Sequence, residues 1–292
     1  MNTTMKNCIA IIALAAALPL AACGGNSSNS SSNSNAASNN AGSTSGAAAT
    51  ITAAGSTALL PLVKQAAQDY QAKHPNVKIS VSGGGSMVGI TQSAQKAVDI
   101  GDSDVPAANQ PSLVDHQVAV VTFGVVVNPK TGVKNLSIQQ IRDIFSGKTK
   151  NFSQLGGADQ QITIINRPRS SGTRAVFVKN IMGGQQPTES GLTQDSSGTV
   201  ATMVAQTPGA ISYLAMSYVK PGQQQAVWIN GVAPSDANVE SGKYPYWSYE
   251  HMFTNGQSSA QVADFINFVK NDTSLLRQLG FIPVSAMKAG AK

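Results

Sequence analysis

The chain has 292 residues, 41% of them hydrophobic, with 20 Lys and Arg against 14 Asp and Glu, a formal net charge of +6. So mild an excess suits an anionic ligand, and without a basic stripe interleaved with aromatics it gives no footprint for nucleic acid. Both cysteines, Cys8 and Cys23, stand in the first 23 residues, which excludes disulfides and cysteine metal sites from the rest of the chain.

Lys6, the apolar stretch "CIAIIALAAALPL" and the closing "LAAC" make a charged n-region, an h-region and a small-residue cleavage site, so residues 1–23 read as a lipoprotein signal with Cys23 as the lipidated residue. The apolar stretch is shorter than the roughly 20 residues a membrane span requires. Residues 24–50, "GGNSSNSSSNSNAASNNAGSTSGAAAT", carry no charge and almost nothing to bury, and read as a flexible tether. Anchor and leash together describe a protein tied by lipid to the extracytoplasmic side of a bacterial membrane, in a periplasm or at the cell surface, and working in the water beside it. About residues 51–292 remain for one two-lobed fold or two small domains.

Along that remainder one pattern recurs three times: a short β-branched run, a turn of glycine and hydroxyl residues, then helical spacing. In "ATITAAGSTALLPLVKQAAQDYQAKHP", Leu59, Leu60, Val63, Ala66, Ala67 and Tyr70 fall on one helical face and Pro75 stops the helix. In "VKISVSGGGSMVGITQSAQKAV" a strand runs into Gly83, Gly84 and Gly85, and a helix begins near Ser86. In "ITIINRPRSSGTRAVFVKNIM" a strand and a helix flank a turn holding two arginines and several hydroxyls. Strands alternating with helices predict an α/β protein with mostly parallel sheet. The β-branched runs "QVAVVTFGVVVNP" and "GAISYLAMSYV" read as crossings between two lobes, "SIQQIRDIFSG" as a helix, and "SAQVADFINFVKNDTSLLRQLGF" as one long amphipathic helix.

In open α/β sheets ligands sit beyond the carboxyl ends of the strands, so all three turns belong on one ligand-facing edge. A helix N-terminus presents unpaired N–H groups and partial positive charge, hydroxyls add donors, and an arginine fork matches two oxygens. Ser171, Gly172 and Thr173, with Arg167 four residues upstream of Ser171, therefore point to a small tetrahedral oxyanion. Each serine or threonine taken singly also reads as an N-cap, and Ser196 and Ser197 before "TVATMVAQTPG" are read as capping alone.

The segments "AAGSTALLPL", "GGGSMVGI", "DIGDSDVP", "DIFSGKTKNFSQLGG", "RPRSSGTR", "AQTPGAISYL" and "NVESGKYPYW" stand in the order found in phosphate-specific substrate-binding lipoproteins of bacterial phosphate ABC importers, and the chain resembles that family from about residue 51 onward. The resemblance implies a type II periplasmic-binding-protein fold, two α/β lobes joined by two crossing strands with the ligand between them. Residues 51–125 with 216–292 would form a discontinuous first lobe and residues 126–215 the second. It also implies that Ser56, Thr57 and Ala58, then Ser86, then Arg167, Ser171, Gly172 and Thr173 contact inorganic phosphate, with Asp104 of "DSDVP" as the phosphate-contacting carboxylate. An ionised carboxylate only accepts, so it takes a hydrogen bond from the P–OH of hydrogen phosphate. Sulfate offers no such proton near neutral pH, and an unmet buried hydrogen bond costs about 1–3 kcal/mol.

Two departures stand out, the first being Ala58 after Thr57, smaller than the aromatic seen in some family members. The family usually has an acidic residue two positions after the binding arginine where this chain has Arg169, so Asp102 or another nearby carboxylate is expected to hold Arg167. Arg174, after the SGT, reads as a helix-surface charge in preference to a second anion contact. The family role implies a monomeric receptor, with neither catalysis nor cofactor nor metal, that delivers phosphate to a membrane permease driven by an ATPase. Among the rivals, "SGKT" at 146–149 lacks the earlier glycine of a P-loop, having Arg142 in its place. No G-x-S-x-G motif occurs, and His74, His116 and His251 lack metal-ligand spacing. A surface adhesin would not explain the converging hydroxyl turns, whereas a binder of sulfate, molybdate, tungstate or arsenate remains the closest chemical alternative.

Overall fold

The computed structural model describes residues 49–288, so the signal, the lipidation at Cys23 and nearly all of the tether lie outside the described residues. The first strand, β1 (Ala49–Gly55), begins two residues earlier than the tether reading allowed, because Ala49 and Thr50 already pair with Val77 and Lys78 of β2 (Val77–Ser82). Between them α1 (Leu60–Lys73) starts on Pro61 in its first turn, where a missing N–H costs nothing. It buries Leu62, Val63, Ala66, Ala67 and Tyr70 as one stripe. The next helix, α2 (Ser86–Ala94), leads to β3 (Ile100–Ser103), which lies parallel to β1 on the side away from β2.

A 15-residue strand, β4 (Leu113–Val127), then carries the chain across the molecule. Its continuous burial from Val118 to Val127 explains the uniformly apolar run in the sequence. Beyond it come the short β5 (Asn135–Leu136), then α3 (Ile138–Phe145), whose start is secured by a capping box between Ser137 and Gln140. The strand–helix alternation resumes with β6 (Thr163–Asn166), α4 (Gly172–Asn180), β7 (Leu192–Thr193), α5 (Ser197–Gln206) and β8 (Ala210–Ala215), with β6 parallel to both β7 and β8. Two short strands, β9 (Gln225–Ala226) and β10 (Trp228–Ile229), and the single-turn α6 (Asp236–Glu240) precede β11 (Trp247–Asn255). The chain closes with α7 (Ala260–Asn271), α8 (Thr273–Gln278) and β12 (Phe281–Ile282).

The main sheet runs β2-β1-β3-β11-β4-β8-β6-β7, mixed in direction, with helices packed on it. The α/β class expected from the alternation is therefore found, with an antiparallel centre made by β11 and β4. The first stretch of β4, Leu113–Thr122, pairs with β11, and the second, Phe123–Val127, pairs with β8. The run read as a second crossing, β8, stays beside the second stretch of β4 and β6. The strand that returns along the first stretch is β11, which the sequence reading had not assigned.

The single C-terminal helix expected from periodicity is two helices. Asp272 leaves helical geometry at φ −79°, ψ 76°, and its carboxylate accepts from Leu275 N at 2.9 Å. A short acceptor side chain competes with the helical ladder and is more stable as an N-cap.

Beneath α4 lies an aromatic platform. Phe177 stacks on Tyr213 at 4.2 Å and meets Phe145 at 4.7 Å edge-on, while Tyr246 packs on Phe123 at 5.2 Å. This ties α4 to β4, β8 and the entry to β11 with large buried areas and favourable ring geometry. On the other side, α2 sits close on the sheet because position 89 is glycine: a Cβ there would lie 2.5 Å from the Asp102 carbonyl oxygen and 2.7 Å from that of Ala54. Gly89→Ala is therefore expected to lower stability by about 1–3 kcal/mol through overpacking. A urea unfolding midpoint unchanged by the substitution would show that α2 has room to move away.

Candidate functional site

Four strand-to-helix turns meet at the edge of the sheet: residues 56–59 before α1, 83–85 before α2, 167–171 before α4, and 194–196 before α5. The parallel pairings on each side of the central strands aim the carboxyl ends of β1, β2, β6 and β7 at this edge, and each following helix presents its first-turn N–H groups there.

At the centre lies Asp104, just past the end of β3 and 1% exposed. One carboxylate oxygen accepts from the Ser56 hydroxyl and the other from Thr173 Oγ1 at 2.8 Å, while its own N–H donates to Ser86 Oγ at 2.9 Å. Three of the four turns thus touch one aspartate. Burial pushes the Asp104 carboxyl up, and the Ser56 and Thr173 hydroxyls and the Arg167 charge pull against that.

Arg167 is equally buried, at 1% exposure. Its Nε donates to the Gln194 carbonyl at 3.0 Å, Nη2 to the Asp195 carbonyl at 2.8 Å and to Thr57 Oγ1 at 3.1 Å, and Nη1 to Ser197 Oγ at 3.3 Å. Burial lowers the guanidinium's affinity for its proton, opposed chiefly by the Asp104 carboxylate, and from so high a reference value the group stays charged. Thr57 and Ser197 also meet directly, with 3.1 Å between hydroxyls and 3.2 Å from Ser197 N to Thr57 Oγ1. Tyr218 OH fixes the same turn by donating to the Thr57 carbonyl at 2.6 Å.

Ser56, Thr57, Ala58, Ser86, Asp104, Arg167, Gly172 and Thr173 are therefore gathered into one buried cluster. Ala58 takes part through its backbone, its N–H donating to Ser56 Oγ at 3.0 Å. Gly172 opens α4 against the facing turn, where a Cβ would run into Ser86 Oγ and stand 2.9 Å from Asp104 Cβ. Ser171 is engaged locally: its hydroxyl accepts from Arg174 N at 3.3 Å and its N–H donates to the Pro168 carbonyl at 3.0 Å. Its position is that of an N-cap.

Three expectations are corrected. Asp102 does not hold Arg167; that work falls to the Gln194 and Asp195 carbonyls, which supply fixed acceptors without a second buried charge. Arg174 is not on the surface but 3% exposed, donating from Nη1 to the Arg167 carbonyl at 2.7 Å and from Nη2 to Glu189 at 3.2 Å. The fourth turn is more than a cap, because Ser196 caps α5 while Ser197, the next residue, faces the cluster. "SSGT" occurs at both 170–173 and 196–199, and that repetition is the signal that would have found it. Arg169 pairs with Glu189 at 3.3 Å in the open, away from the cluster.

Such a set of fixed donors around one acceptor, on the ligand edge of a two-sided α/β sheet, defines a binding protein for a small oxyanion. The PBP superfamily domain matches residues 40–273. The phosphate-binding protein PstS of Bacillus subtilis is 45% identical over 247 residues, covering 82% of each chain, and PstS of Borreliella burgdorferi is 24% identical over 80% of this chain and 90% of its own. Among solved structures, a Clostridium perfringens protein assigned as a phosphate ABC transporter substrate-binding protein, with bound phosphate, superposes with a TM-score of 0.77 at 26% identity over 80% of this chain and 99% of its own. An ABC-type phosphate transport receptor from Vibrio cholerae gives 0.66 at 26% identity, over the same shares of the two chains. The chain belongs to the PstS family within the PBP superfamily. Members of this family are receptors, not enzymes.

Because Arg174 supports the Arg167 backbone from a buried position, Arg174→Ala is expected to cost about 1–3 kcal/mol, the price of leaving a buried carbonyl without its donor. Glu189→Gln, at the exposed end of the same contact, is expected to leave the unfolding midpoint near wild type. Equal effects of the two substitutions in chemical denaturation would place the role of Arg174 in the ion pair instead.

Proposed function

We propose that this chain is an extracytoplasmic receptor that binds inorganic phosphate and delivers it to an ABC importer. The observation that carries the reading is a buried carboxylate, Asp104, which accepts from the Ser56 and Thr173 hydroxyls, is held by its own N–H on Ser86 Oγ, and lies close enough to Arg167 to feel its charge. Donors alone suit any oxyanion. An acceptor among them suits one that brings its own proton, which hydrogen phosphate does and sulfate, molybdate and tungstate at neutral pH do not.

In this proposal Ser56, Thr57, Ala58 and Ser86 contact the ligand from one side, and Arg167, Ser171, Gly172 and Thr173 from the other. Thr57 and Ser197 take part with Arg167, whose fork is already aimed by two carbonyls. The N–H groups of Gly172 and Thr173 in the first turn of α4 have no intrahelical acceptor and suit a phosphate oxygen. Preset acceptors for Arg167 reduce the ordering cost of binding.

Residues 51–125 and 216–292 form one lobe and residues 126–215 the other, with the ligand held between them. The pairings of β9 with Val126–Val127 and of β10 with β5 favour extending the second lobe to about residue 246. Hydrogen bonds from both lobes then favour the closed form when phosphate is present. Lipid at Cys23 and the Ser/Asn-rich tether would keep a monomeric receptor beside the permease and its ATPase.

Calorimetric titration of the full chain with phosphate, with sulfate as competitor, tests this. Wild type is expected to bind phosphate without displacement by sulfate at neutral pH. Arg167→Ala is expected to weaken binding by about a hundredfold or more, the loss of charge-assisted bonds in a buried site, and Asp104→Asn to admit sulfate. Heat with sulfate or molybdate alone would keep the fold and replace the ligand. No heat with any oxyanion would reduce the four turns to helix caps.

A further inference from the structure

Asp104 has a neighbour that phosphate contact does not account for. β11 runs antiparallel to β3 with Met252 opposite Asp102 and His251 opposite Ser103, the last pair of the ladder. Asp104 and Glu250 follow it on the two chains, beside a register shift of β11 against β4, near enough for each to bear on the other's charge. Ser248 Oγ donates to the Asp104 carbonyl at 2.7 Å, which holds β11 alongside past the end of β3. Asp102, Asp104 and Glu250 are three carboxyls within one buried patch, exposed by 0%, 1% and 0%. With all three ionised, the four oxygens of Asp102 and Glu250 have no donor. Three adjacent buried carboxylates would also repel one another at low dielectric, so the patch must hold at least one proton.

We propose that Glu250 donates a carboxylic-acid proton to the Asp104 carboxylate and so keeps Asp104 a hydrogen-bond acceptor for the ligand's own hydroxyl, a positioning role that rests on the phosphate reading. A carboxylate has about four acceptor sites. Ser56 takes one on Oδ1 and Thr173 one on Oδ2, and a proton on Glu250, whose oxygens otherwise have no partner, would take a third and leave one for P–OH. The direction of the proton follows from the surroundings. Asp104 has two hydroxyl donors and the Arg167 charge to stabilise its anion, and Glu250 has none of these. Burial and the charges of Asp104 and Asp102 hold the Glu250 carboxyl well above the usual range.

The groups facing this pair are few. Across β11 stands Ala119 of β4, and α2 carries no ionisable side chain from Ser86 to Ala94. His251, next in β11, is engaged with Asp115 at 2.8 Å. On the Asp104 side the only cation among the described residues is Arg167, and the phenols of Tyr218, pushed up to about 12, and Tyr246, pushed well above its ordinary value by burial, stay neutral.

The test is the pH at which sulfate begins to compete with phosphate on the full chain. Asp104 gains a proton as pH falls through its folded-state value, turning from acceptor to donor, and sulfate then fits. The Glu250 donor lowers that value, so Glu250→Leu is expected to raise the onset by about one pH unit, a tenfold gain for sulfate at fixed pH. Glu250→Gln keeps a donor and is expected to hold the onset at its wild-type value. Equal onsets in all three proteins, or equal shifts in both variants, would overturn the proposal. Infrared spectroscopy supplies a second arm that does not depend on the Leu variant folding: at neutral pH the carbonyl band of a protonated carboxylic acid is expected in wild type and weakened in Glu250→Gln, and an unchanged band overturns the proposal. Failure of wild type to bind phosphate strikes the underlying reading, and the infrared band still decides whether Glu250 carries the proton.

Discussion

Two opposite charges in the interior, Asp104 and Arg167, govern how the rest of this molecule is built. Each is 1% exposed, and taking an ion out of water costs several kcal/mol even after relaxation. Their mutual attraction offsets this only with further hydrogen bonds, and those come from separate segments: Ser56 and Thr57 from the first turn, Thr173 from α4, and Ser197 with the Gln194 and Asp195 carbonyls from the fourth, while Ser86 from the second holds the Asp104 backbone N–H. Loss of one turn would leave a buried charge short of partners. The four helix starts are consequently interdependent, although they span more than a hundred residues of sequence.

The fold meets this demand by symmetry of means. On each side of β4 and β11, parallel strands feed helices at the same edge of the sheet, so donors arrive from both sides without long loops. The aromatic platform extends the control inward. Tyr213 OH accepts from Arg167 N at 3.3 Å and Tyr246 OH donates to the Thr173 carbonyl at 3.2 Å, so two core rings hold the backbone of two site residues. Packing in the core and geometry in the cluster are thereby one constraint, and under the proposed function a phosphate would meet donors already held in place.

What could be read from the sequence followed the range of the interaction involved. Glycine and hydroxyl turns, the strand before Arg167 and the start of α2 are local patterns found where expected, whereas the stripe of α1 kept Val63, Ala66, Ala67 and Tyr70 but buries Leu62 in place of Leu60. Arg174 was misplaced because its spacing in α4 does not reveal that the Arg167 carbonyl and Gln186 wait beside it. Ser197 was taken as a cap because the cap and the site residue are adjacent in "DSSGT", and only the direction of α5 tells them apart. The break at Asp272 was hidden by apolar spacing that continues through it.

The sequence by itself determined the α/β alternation, the turns that offer donors to an oxyanion, and the placing of Arg167 beside an SGT turn, whereas Asp104 entered only through the resemblance to the phosphate-binding family. Those follow from backbone sterics, capping and residue chemistry, which act over a few residues. The tertiary structure alone decided which carbonyls aim Arg167, that Arg174 is interior, and that Glu250 is buried beside Asp104 just past the β3–β11 ladder. These depend on the antiparallel register of β11 against β3, set by pairing across about 150 residues of chain, where a slip of one residue would turn Glu250 to the other face of the sheet.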